Sequence, residues 1–204
     1  MMEYWNTLLT EKSWVLLQEI RKKYQFVLIG GWAIYLWARR QKSKDIDIVV
    51  SIEELQKLKQ ENLAKNDHLK KYGIKKDEID IDIYVAHYSE LVIPAKDMQI
   101  YAAKVEGFDV AVPEALLILK QNAEMNRRGS VKGEKDKIDV MSLLFFVKID
   151  YRKYNSVLKK YKLEYVDNLM DLVRGFQDYH ALGLNPREFK LKKMEIIKSL
   201  RKLK

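Results

Sequence analysis

The stretch FVLIGGWAIYLWARRQKSKDIDIVV, residues 26–50, decides how the chain is read. It holds an apolar run from Phe26 to Ile29, the glycine pair Gly30-Gly31, an aromatic-rich segment over 32–40, and Asp45-Ile46-Asp47 leading a second apolar run. That pattern predicts strand, tight turn, helix, strand. On a strand the side chains alternate, so Asp45 and Asp47 share one face while Ile46, Ile48 and Val50 take the other. Two carboxylates so spaced lie roughly 7 Å apart at Cα. Ionised and partly buried, they repel by about 2–3 kcal/mol at an effective dielectric near 20. A cation between them removes that cost. Gly30 and Gly31 let backbone N–H groups come close to a ligand, and the helix that follows points its positive end at the same place. Residues 26–50 thus set a phosphate seat beside a metal seat.

Towards the N-terminus, residues 2–23 predict an amphipathic helix, with Trp5, Leu8, Leu9, Leu16, Leu17 and Ile20 at helical spacing. Trp32, Tyr35 and Leu36 recur at the same period, which favours core packing over a base-stacking platform. After the 45–50 strand, Ser51 and Glu54 form a capping box that starts a helix running to about residue 61. Residues 62–78 are polar and carry no clear period. Residues 78–85, EIDIDIYV, alternate strictly and predict a second acidic strand with Asp80 and Asp82 on one face. Spacing alone does not separate these two aspartates. Residues 99–112 predict a hairpin turning at Glu106-Gly107. Pro113 then suits a first helical turn, and helices are expected over 113–128, 134–147, 151–161, 165–180 and 186–203.

The 204 residues suffice for one large or two small domains. The expected boundary falls at Val112, between an α/β core over 1–112 and a helical domain over 113–204. Apolar residues make up 48% of the chain, enough for a packed core. Cysteine is absent, which excludes disulfides and thiolate metal sites and fits a reducing cytoplasm. The N-terminus lacks the pattern of a signal peptide, and no apolar run reaches the ~18 residues that span a bilayer. The net charge of +9 favours anionic partners such as RNA, DNA or nucleotides. Residues 186–204 hold eight basic and two acidic side chains, which suits a docked helix with a basic face. His68, His87 and His180 are scattered without ligand spacing.

A glycine pair closing a first strand, a helix, then D-x-D on the next strand with Lys44 directly before it resembles the nucleotidyltransferase superfamily that includes DNA polymerase beta. Details resemble its small prokaryotic, AbiEii-type members. The resemblance implies an α+β fold, a small mixed sheet flanked by helices and followed by a C-terminal helical bundle. It implies a third carboxylate on a neighbouring strand, here Asp82, with Asp80 as runner-up. Asp45, Asp47 and Asp82 would then be both the metal ligands and the catalytic residues, holding two Mg²⁺ ions ~4 Å apart. Gly30, Gly31, Ser43 and Lys44 would bind the nucleotide phosphates. The order helix Lys, Arg, then Lys-Asp-x-x-Asp over 120–139 is similar to the helical part of such enzymes, where basic residues contact the triphosphate. Lys120 and Lys135 are the corresponding candidates, with Asp136 and Asp139 as structural groups.

The implied reaction is transfer of NMP from an NTP such as ATP to a hydroxyl on RNA, tRNA or protein, with release of pyrophosphate. The implied partners are the NTP, an RNA acceptor and, for a toxin of a toxin–antitoxin pair, an antitoxin protein. Two other functions fit the same residues: a catalytically silent nucleotide- or RNA-binding module, and an antibiotic-type nucleotidyltransferase with a small-molecule acceptor.

Overall fold

A computed structural model of the chain describes residues 7–203. Residues 2–6 of the expected first helix, Trp5 among them, lie outside the described residues. The fold is α+β, and the chain divides at Val112–Pro113 into two compact units.

The first unit is built on a seven-stranded mixed sheet. Its strands are β1 (Val27–Ile29), β2 (Ile46–Val50), β3 (Ala64–Asn66), β4 (Lys71–Lys76), β5 (Ile79–Val85), β6 (Ala102–Val105) and β7 (Phe108–Ala111), in the order β3-β4-β5-β2-β1-β7-β6. β2 runs parallel to β5 and antiparallel to β1, and β1 runs parallel to β7. Parallel pairing of β2 and β5 sets Ile46 beside Ile81 and Ile48 beside Ile83. All four are at most 2% exposed. Each such burial contributes about 2 kcal/mol, so the register is fixed by this apolar face, since a one-residue slip would turn it to solvent.

Helices α1 (Thr7–Lys23) and α2 (Gly30–Ala38) are joined by side chains in the core. Trp32 is buried and donates Nε1–H to Ser13 Oγ at 2.9 Å. The Trp14 ring lies 5.0 Å from Trp32 and 5.8 Å from Phe108 of β7. Trp32 and Leu36 are therefore core residues. Leu8, expected on the packed face of α1, is instead exposed. Helix α3 (Ile52–Leu58) starts where expected, with Ser51 Oγ accepting from the Glu54 amide.

The polar 62–78 segment contains two strands that the sequence does not announce. β3 is short and fully exposed, and β4 alternates Tyr72 and Ile74 against Lys71, Gly73 and Lys75. Edge strands bury little, so their sequences need few apolar residues. The hairpin of β6 and β7 turns at Glu106 (φ +49°) and Gly107 (φ +82°), the left-handed pair that a two-residue turn requires.

The second unit is helical: α4 (Pro113–Arg127), α5 (Val131–Phe146), α6 (Tyr151–Lys160), α7 (Val166–Gly175) and α8 (Pro186–Arg201). Buried Gln121 on α4 accepts from Tyr154 Oη of α6 at 2.7 Å. It donates to Tyr165 O at 2.6 Å and Asn168 Oδ1 at 2.9 Å, which ties in α7. Burial pushes the Tyr154 phenol above its ordinary value. Helix α5 begins at Val131, before the expected 134, because Ser130 caps it by accepting from the Gly133 amide. Helix α7 stops at Gly175, well short of the expected 180, and Phe176 turns extended into the core. Among the described residues no helix is long and apolar enough to cross a membrane.

Candidate active site

Two neighbouring strands of the first unit, β2 and β5, bring Asp47 and Asp82 to one face. β1 ends at Ile29, whose register partner on β2 is Asp47. On the other side of β2, the register partner of Asp47 is Asp82 of β5. Residues paired in register project to the same face, so Asp47 and Asp82 stand side by side on neighbouring strands. Asp45 lies in the bend just before β2 rather than on the strand itself, with its Oδ1 buried. Asp80, the competing candidate, is exposed and pairs in register with Lys75.

Gly30 closes the site from the β1 side. Its φ is +68°, a conformation that residues with a Cβ adopt at a cost. A Cβ built there would stand 2.1 Å from Asp47 Oδ2 and 2.6 Å from Asp47 Cγ. No side chain fits, so the Asp47 carboxylate is packed directly against the glycine backbone. Helix α2 starts at Gly30 itself, not after the glycine pair as the sequence suggests. Its first amides therefore belong to the same turn that touches Asp47.

On the β5 side the neighbour is Lys71 of β4. Its Nζ donates to Asp82 Oδ2 in a close ion pair, with side-chain exposures of 19% and 22%. The strand position explains the reach. Gly73 is the register partner of Asp82, and Lys71 lies two residues before it on the same face. A Cβ at Gly73 would meet nothing nearer than Ile81 O at 3.8 Å, so the diagonal from Lys71 to Asp82 runs past an open position. Alternation of Tyr72 and Ile74 with Lys71 and Gly73 is the signal that could have revealed this strand and its lysine.

The remaining candidates are distributed as follows. Gly31 is buried, and Ser43 is buried at 2% exposure in the segment between α2 and β2. Lys44 is half-buried in the bend beside Asp45. Lys120 and Lys135 belong to the second unit. Lys120 Nζ is held at 3.0 Å by Asp136 Oδ1 and at 2.7 Å by Asp139 Oδ2. Both aspartates are buried, and Asp136 also takes Arg127 at 2.5 Å. The buried carboxylates thus hold Lys120 and Arg127.

The donor chemistry suits a hard divalent cation: carboxylate oxygens on adjacent strands, against a backbone cradle that a Cβ would fill. An ammonium already lies on Asp82 as a cation would. Among the described residues, no three His, Cys, Asp or Glu side chains are gathered into a ready-made metal cage. At about 5 Å, two ionised carboxylates on neighbouring strands repel by roughly 3 kcal/mol at an effective dielectric near 20. Lys71 offsets that repulsion.

No family model matches the sequence. No curated protein matches it either. The chain is similar to several solved structures. JHP933 from Helicobacter pylori is 18% identical, with 97% of this chain and 95% of that one covered and a TM-score of 0.49. A second H. pylori protein, with a provisional nucleotidyltransferase assignment, is 18% identical over 98% of this chain and 99% of its own, with a TM-score of 0.47. An antigenic nucleotidyltransferase-like protein from Paracoccidioides brasiliensis is 16% identical over 79% of this chain and 91% of its own, with a TM-score of 0.42.

Proposed function

We propose that the chain is a metal-dependent nucleotidyltransferase that moves the NMP of an NTP to an acceptor hydroxyl and releases pyrophosphate. The observation that carries this reading is the pair Asp47 and Asp82, in register on adjacent strands, with the Gly30 backbone packed against the Asp47 carboxylate. A divalent cation bound there would supply positive charge against the phosphate oxygens and acidify the acceptor hydroxyl.

The chain's own residues do the rest. Asp47 and Asp82 would hold the cation, with Asp45 beside them in the bend before β2. Gly30 and Gly31 present backbone amides at the start of α2, where the helix dipole favours phosphate. Lys44 precedes Asp45 in the bend that leads into β2. The acceptor oxygen attacks the α-phosphorus. The bond from that phosphorus to the oxygen shared with the β-phosphate breaks, and pyrophosphate leaves with the electron pair. Asp82 takes the acceptor proton. Positioning and charge supply most of the rate, as in other phosphoryl transfers.

RNA is the acceptor class that the basic surface favours. α8 keeps Arg187, Lys190, Lys198 and Arg201, and the whole chain carries +9. A role as the toxin of a two-protein pair belongs to the same proposal. Induced expression of the chain, but not of Asp47→Ala, would then arrest growth.

The direct test incubates the protein with Mg²⁺, each α-labelled NTP and total cellular RNA. The expected result is label on RNA and equimolar pyrophosphate, both lost at least 100-fold in Asp47→Ala. Equal signals from wild type and variant, or none from either, would overturn it. A second reading, a silent nucleotide-binding module, is favoured by the Lys71 ion pair on Asp82. It predicts that Mg²⁺ and NTP raise the melting temperature without pyrophosphate release.

A further inference from the structure

We propose that Lys71 is a resident counter-cation that a divalent metal must displace from Asp82, so that this lysine sets the metal affinity of the site. The inference rests on the reading of Asp47 and Asp82 as metal ligands.

Three observations carry it. First, the Lys71 ammonium occupies an oxygen of the one carboxylate that stands in register with Asp47. Both partners are about four-fifths shielded, so the charges are only partly screened by water. Second, the lysine is placed by a braced hairpin. Tyr88 donates its Oη–H to Asn66 O or Asp67 Oδ1, at 2.9 and 3.0 Å, and its ring lies 5.0 Å from Tyr72. Asn66 Oδ1 in turn accepts from the Leu69 amide at 2.9 Å, and Lys70 takes the left-handed φ of +48° that delivers Lys71 to β4. Third, Gly73 leaves the path from Lys71 to Asp82 clear. The arrangement has a physical use in the metal-free protein, because it neutralises one of two neighbouring carboxylates.

The consequence is competition. A metal ion and an ammonium cannot share one carboxylate oxygen at full strength, so binding of the first must be offset by loss of the second. Lys71 is thus a positioning residue that acts through Asp82.

The test is a Mn²⁺ titration followed by electron paramagnetic resonance of free Mn²⁺, on full-length protein without nucleotide. Thermal melts of each variant establish folding. Lys71→Gln should bind Mn²⁺ about tenfold more tightly than wild type, and Lys71→Arg, which keeps the charge, should stay within about threefold. In the Asp82→Asn background the effect of Lys71→Gln should disappear. Unchanged or weaker Mn²⁺ binding in a folded Lys71→Gln, with binding still sensitive to Asp82→Asn, would overturn the proposal and leave the metal site standing. If no folded variant binds Mn²⁺ at all, the metal reading itself fails, and this inference fails with it.

Discussion

A single methyl group at position 30 is enough to test how closely the glycine turn and the acidic strand are joined. In Gly30→Ala the new Cβ would fall on the Asp47 carboxylate, and the left-handed φ would be strained as well. Such backbone strain costs about 1–3 kcal/mol. We expect a loss of stability of that size in urea denaturation and at least a tenfold fall in NMP transfer. Unchanged transfer in the folded variant would show that Asp47 does not need this position. Residue chemistry made this part of the site legible, since glycines and aspartates state their use by type. Lys71 is less legible, because a lysine in a polar stretch reads as solvated surface until its strand is known.

Elements with a strong period were readable, and those set by tertiary contacts were not. Strictly alternating β5 and the capped start of α3 follow from local sequence. The β3–β4 hairpin is hard to read because its exposed edge strand, β3, carries no apolar stripe. Helix α8 shows the same limit in another form. Its basic character suggests nucleic acid, but Lys192 donates to Phe145 O at the end of α5, and Lys193 donates to Arg174 O and Phe176 O at the end of α7. Two of its lysines therefore cap helices, and burial lowers the pKa of Lys193. Lys120 makes a similar point between α4 and α5. Removing one partner of a buried ion pair costs about 3–5 kcal/mol, because the other charge stays behind. We expect Lys120→Ala to lose stability on that scale, as it strands Asp136 and Asp139, which a denaturant midpoint would register. A variant as stable as wild type would show that Asp136 and Asp139 do not depend on Lys120.

At the scale of the molecule, the chain pairs an acidic-faced sheet with a helical unit, and the change of character at Pro113 is visible in the sequence because strand alternation gives way to helical periods there. What pattern could not supply is the long-range register, since strand pairing between residues 47 and 82 depends on the whole sheet. A crystal of the protein grown with Mn²⁺ and a non-hydrolysable NTP tests that register most directly. We expect anomalous density for Mn²⁺ coordinated by Asp47 and Asp82, with Lys71 withdrawn and the triphosphate over the Gly30-Gly31 turn. Mn²⁺ and nucleotide bound elsewhere, with the Lys71–Asp82 pair intact, would contradict it.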